Sequence, residues 1–167
     1  MALVEQKTDN IRDLNIPDIE RERFRINGDN DKILELNTSD FNVITRLNES
    51  YPKLLEYSDK ISELGDVEGD VDKKETLAKM SDILEDIDKS MKKEIDYIFD
   101  ANVSEVCLGN RNAYDPRNGK FVWEHIIEAI GDLYKVSFTK ELGEIRKRVD
   151  KHTAKYTKAK ATKSKKK

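Results

Sequence analysis

TLAKMSDILEDIDKSMKKEIDYIF, residues 76–99, is the stretch on which the fold turns. Leu77, Met80, Leu84, Ile87, Met91, Ile95 and Ile98 advance by threes and fours, which puts one apolar stripe on an α-helix and excludes the alternation of a strand. Asp82, Glu85, Asp86 and Asp88 then belong to its solvated side. The same period returns on both flanks. Upstream, Phe41, Ile44, Leu47, Tyr51, Leu54, Ile61 and Leu64 follow Asn37, Thr38, Ser39 and Asp40, which offer N-cap oxygens. Pro52 lies inside this face and is expected to kink or divide the helix near Tyr51. Downstream, Phe121, Trp123, Ile126, Ile127, Ile130, Leu133 and Tyr134 mark one helix, and Phe138, Leu142, Ile145, Val149 and Tyr156 a last one.

Three kinds of segment separate these helices. In residues 22–37, Phe24 and Ile26, then Ile33 or Leu34 and Leu36, flank Asn27-Gly28, a pair suited to the positive backbone angles of a tight turn. A short hairpin follows, and since two strands alone are marginal in water it must pack on helices or pair with a partner's edge. Residues 65–72, with two glycines and three aspartates, read as a solvated turn. Residues 99–121 hold the single cysteine, Cys107, with Gly109, Pro116 and an Asn118-Gly119 pair. Asn102 or Ser104 can cap a short helix there, Gly109 can end it, and residues 115–119 have turn chemistry. The sum is a mainly α protein of about four to six helices with a short N-terminal β-hairpin. Residues 1–20 form a flexible arm, 21–156 a helical domain and 157–167 a disordered Lys-rich tail.

Composition narrows the function. Hydrophobic residues make up 37% and charged residues 39%, leaving little apolar material beyond one seam per helix. Residues 146–167 hold eleven Lys or Arg and one Asp, so residues 1–145 keep 20 cations and 33 acids, a charge of −13. One cysteine forms no internal disulfide, no apolar signal core opens the chain, and no run approaches the roughly 20 apolar residues of a membrane span. A soluble intracellular protein is the expectation. The acidic body argues against nucleic acid as the principal partner, although the basic end would contact phosphates through counterion release.

Catalytic and metal chemistry find little footing. His125 and His152 stand 27 positions apart without metal-motif companions, and His125 is read as a half-buried, hydrogen-bonded imidazole. Cys107, between Val106 and Leu108, is read as a buried inert thiol. The acidic runs at 28–32 and 65–72 lack the ligand register of a calcium loop. No enzymatic role, cofactor or metal is expected. The remaining distinctive feature is apolar: the seam carrying Leu77, Met80, Leu84, Ile87 and Met91, with adaptable methionines, is a candidate helix-binding surface. Arg111, Tyr114 and Arg117 in the connector are further candidate partner contacts.

RFRINGDNDKILELNTSDFNVITRLNESYPKL (23–54), KKEIDYIFDANVSEVCLGNRNAY (92–114) and GKFVWEHIIEAIGDLY (119–134), in that order, resemble the tail assembly chaperones of long-tailed, siphovirus-like bacteriophages. The shared outline is a strand pair, an acidic helical middle, an Ile-Asp-x-Ile-Phe helix end, a Gly-Asn loop and a closing aromatic helix, over about residues 22–135. Where a glycine would follow the phenylalanine, this chain has Asp100. The resemblance implies a phage tail assembly chaperone of viral morphogenesis. Such a protein coats the tape-measure protein, helps recruit tail-tube subunits, works in the host cytoplasm and is absent from the mature virion. Homo-oligomers are compatible with it, and Lys165, Lys166 and Lys167 would sit near a frameshift site. Two other expectations stand beside it: a structural virion or scaffold component retained in the particle, and a nucleic-acid-associated protein acting through the basic C-terminal tail.

Overall fold

Two long helices, α1 (Asn42–Gly65) and α2 (Lys74–Phe99), pair first, in a computed structural model that describes residues 11–65 and 74–164. Arg46 reaches the end of α2, bonding Ile98, while Ser50 and Lys53 meet Glu94 farther back, so the two run antiparallel. Pro52 does not divide α1. Pro52 and Asn48, whose carbonyl it leaves without an amide donor, are both exposed, so water can replace the lost bond. The acidic run at 65–72 lies, after Gly65, outside the described residues.

Ahead of α1, strands β1 (Glu22–Arg25) and β2 (Ile33–Leu36) pair antiparallel with Phe24 opposite Leu34. Asn27 and Gly28 take φ of 51° and 74°, and the Asp29 amide closes the turn on the Ile26 carbonyl at 3.0 Å, as the Asn-Gly pair predicts. A second turn, Asp29 to Lys32, lengthens the connection. Leu34 and Leu36, not Ile33, enter the core, and the hairpin finds its support on helices.

The last two helices are α3 (Val103–Leu108) and α4 (Val122–Ser164). Helix α4 fuses the two helices expected from residues 121–134 and 138–156 and continues to Ser164, so residues 157–164 are helical and not a disordered tail. Lys and Ala are strong helix formers, and propagation from an existing helix needs no new nucleus. Trp123 meets Tyr51 edge-on with centroids 5.6 Å apart, and Phe138 stacks on Phe41 at 4.2 Å, so α4 runs antiparallel to α1. Trp123, Leu54, Met91, Ile95, Ile98 and Leu36 are fully buried between these layers. The Trp123 indole donates to Ser58 Oγ at 2.9 Å, and Ser58 Oγ donates to the Leu54 carbonyl.

Two α2 carboxylates hold the connector that starts α4. Asp96 accepts the Ser104 amide and hydroxyl, both at 2.7 Å, and thereby supplies the N-terminal cap of α3. Asn102 occupies the cap position but its side chain bonds Glu105 instead. Asp88 accepts the Ala113 amide at 2.7 Å and pairs with Lys92, so it is buried and does not belong to the solvated face assigned to it from its spacing. Gly109 ends α3 with φ 57°. A second Asn-Gly turn, Asn118-Gly119, joins two-residue strands β3 (Pro116–Arg117) and β4 (Lys120–Phe121).

Candidate functional site

Helix α4 meets the first half of α1 over side chains that do not fill the space between them. Val43, Ile44 and Leu47 form one wall, Ile127, Tyr134, Phe138 and Leu142 the other, and Phe99 from the end of α2 joins them. The result is an apolar groove of about 320 Å³ with Lys135 and Thr139 also on its lining. Gly131 lines it as well, and a Cβ there would meet nothing within 4 Å. Ile44 and Leu142 are about half exposed at 56% and 51%, so the groove is open to an incoming side chain.

Polar groups fix its N-terminal end. Asp40 accepts the Asn42 amide at 3.0 Å just ahead of α1 and pairs with Arg46 at 2.7 Å, while Arg46 Nε donates to the Ile98 carbonyl at 2.9 Å. Burial works to raise the Asp40 carboxyl's pKa, but the Arg46 hydrogen bond, the Asn42 amide and the Arg46 charge outweigh it and hold the group below the usual carboxylate range. Of the cap oxygens offered by residues 37–40, Asp40 is therefore the one that holds Arg46, which in turn ties α1 to α2. Tyr134 is the exception to this satisfaction: its buried hydroxyl has no hydrogen-bond partner. Burial, and after it the Asp40 carboxylate, push its phenol up to about 12.

The residues expected to bind a partner separate into three groups. Leu77, Met80, Leu84 and Tyr114 come together around a shallow pocket of about 450 Å³ that also includes Asp88 and Asn112. Ile87 and Met91, on the same stripe, lie in the core and are corrected out of any binding surface, because the connector folds over that half of α2. Arg111 donates to the Cys107 carbonyl at 3.2 Å, and Arg117 is exposed on β3, neither of them lining that pocket. The α1/α4 groove was missed because its walls lie some 90 positions apart in the chain; its only signal was that Phe138 and Leu142 prolong a seam already supplied with partners.

Cys107 and His125 both have structural surroundings. Cys107 is buried, and burial, then the Asp96 carboxylate, push its thiol up to about 11. His125 Nε2 donates to the Arg117 carbonyl at 2.8 Å, since a carbonyl can only accept. Among the described residues no group of three or more His, Cys, Asp or Glu is placed to hold a metal ion, and no helix is long and apolar enough to cross a membrane. Compared with protein-family models, with curated proteins and with solved structures, the chain matches none.

Proposed function

We propose that the protein is a non-enzymatic phage tail assembly chaperone whose α1/α4 groove takes amphipathic helices of the tape-measure protein. The groove is the observation that carries this reading: an open apolar channel beside helices receives the one-sided apolar row of another helix, the mode by which helix-binding proteins hold their targets. Desolvating Ile44, Phe138 and Leu142 supplies the affinity, and the uncommitted space over Gly131 admits a large side chain. The resemblance of residues 22–135 to tail assembly chaperones supplies the identity of the partner and the companion role of recruiting tail-tube subunits. In this reading the protein acts in the host cytoplasm, uses no cofactor and leaves before the virion is complete. Its acidic body keeps unloaded copies apart.

Co-expression with a tape-measure fragment tests it. The fragment stays soluble with the wild-type chain and precipitates with Gly131→Leu, a variant that fills the groove and favours the helix. Equal precipitation with and without the protein removes the chaperone reading. Absence from purified particles is the matching expectation, and retention there favours a structural component of the virion.

A further inference from the structure

Two exposed apolar surfaces of opposite charge lie on this chain, the second running outward along α4 from the groove. Residues 11–20 form no regular element, and Ile11, Leu14, Ile16 and Ile19 are between 71% and 82% exposed. Asp13, Asp18 and Glu20 stand among them against one cation, Arg12. On α4, Leu142, Ile145 and Val149 continue the line of Phe138 and are 51%, 46% and 51% exposed, edging a shallow trough with Arg146 and Asp150. Residues 138–149, the stripe itself, carry four Lys or Arg and two acids.

We propose that two copies of this chain pair by exchanging arms, the acidic apolar arm of each lying along the basic apolar stripe of α4 in the other. The arm is long enough to span the stripe: residues 138–149 of a helix rise about 17 Å, and an extended chain from 11 to 19 reaches about 26 Å. The arm joins the body where Glu22 and Phe24 border the α4 residues Lys140 and Glu141, so its root lies beside the place where α4 loses its cover. Both halves of the contact therefore sit at one end of the molecule, so two copies meeting at that end can make both contacts at once. Pairing of α4 with α4 is the poorer solution. Its apolar seam gives way to His152 within about two heptads, and Arg146, Arg148 and Lys155 along its flanks would face their own copies. The stripe shares Phe138 and Leu142 with the groove, whereas Ile145 and Val149 lie outside the groove lining, so a substitution at Ile145 tests the arm contact separately from what the groove binds.

Sedimentation velocity on the full chain tests this, with circular dichroism as the check on folding. The wild type sediments as a dimer whose dissociation constant rises with salt. Ile16→Asp on the arm and Ile145→Asp on α4, both at exposed positions, each raise that constant at least about tenfold while helicity is kept. An equimolar mixture of the two variants regains a dimer, because the arm of the second still fits the stripe of the first. A monomeric wild type overturns the proposal. So does a dimer indifferent to Ile16→Asp, which would mark α4–α4 pairing, or a mixture no more associated than its components.

Discussion

The inner and outer halves of α4 have the same apolar period and opposite fates. In the inner half Val122, Trp123, Ile126, Ile127, Ile130 and Tyr134 are buried; in the outer half Leu142, Ile145 and Val149 stand about half exposed. The cause is length. Helix α1 has 24 residues and α4 has 43, and they run antiparallel, so α4 passes the beginning of α1 near Phe41 and Phe138 and continues with no helix opposite it among the described residues. At 1.5 Å per residue the overhang from Phe138 to Ser164 is about 39 Å. Spacing thus tells which face of a helix is apolar, while coverage is decided by whatever folds back over it. The groove lies where cover thins, and the stripe where it ends.

The sharpest way to break this comparison is to truncate a large side chain in each half. Trp123→Ala should cost about 3–5 kcal/mol by the usual scale for buried aromatics, and it also leaves Ser58 Oγ without its indole donor. Ile145→Ala should stay within about 0.5 kcal/mol for the isolated chain. Denaturant unfolding followed by circular dichroism measures both, and a cost at Ile145 approaching that at Trp123 would mean that the outer half is covered in solution. The next largest effect belongs to the connector. Asp96→Ala removes two charge-assisted hydrogen bonds to Ser104 and should cost about 2–3 kcal/mol, whereas Asp82→Ala, on the same helix but exposed, should change little.

That pair of aspartates also shows where the sequence stops speaking. The helices and the Asn-Gly hairpin were legible because periodicity and turn chemistry are local, and so was the inert environment of Cys107 between two apolar neighbours. Asp88 has the spacing of a solvated acid and Asp96 gives no signal of its own, yet both receive backbone donors from a segment that returns over them. The stripe from Leu77 to Met91 reads as one surface, but the connector covers Ile87 and Met91 and leaves Leu77 half exposed. The groove was illegible for the same reason: α1 and α4 become neighbours only through the path of the chain between them.

A pH titration sharpens the contrast at the covered end. The Asp40 pKa is depressed in the folded state, so its stabilisation is complete above the unfolded value of about 3.9 and is lost as pH falls through the lower folded value. Its carboxylate and Arg46 are only 18% and 16% exposed, so screening leaves the pair largely intact. Asp40→Asn should cost about 1–2 kcal/mol at neutral pH, and the gap between wild type and variant should close on acidification below about pH 4. A gap independent of pH would show that the amide replaces the carboxylate fully. Tyr134→Phe should act in the other direction, stabilising the free protein by about 1 kcal/mol, because it removes a buried hydroxyl that has no partner. A loss measured by the same unfolding assay would show that a partner, such as trapped water, meets that hydroxyl in solution.

The smallest effect concerns the turn that aims the connector over α2. Asp100 follows the last residue of α2 with φ 47°, a left-handed conformation in which an L side chain is strained and glycine is not. Arg21 reaches it twice, donating to its carbonyl at 3.0 Å and pairing with its carboxylate at 3.4 Å. Only the second contact is lost on Asp100→Gly, and both side chains are well exposed, so that ion pair contributes little. Relief of strain is partly offset by the greater freedom of glycine in the unfolded chain, leaving a net gain of about 0.5 kcal/mol. A measured loss would mean that the Arg21 contact fixes the root of the arm more firmly than its exposure implies. The arm's orientation toward α4 would then be set in the monomer, before any second copy arrives.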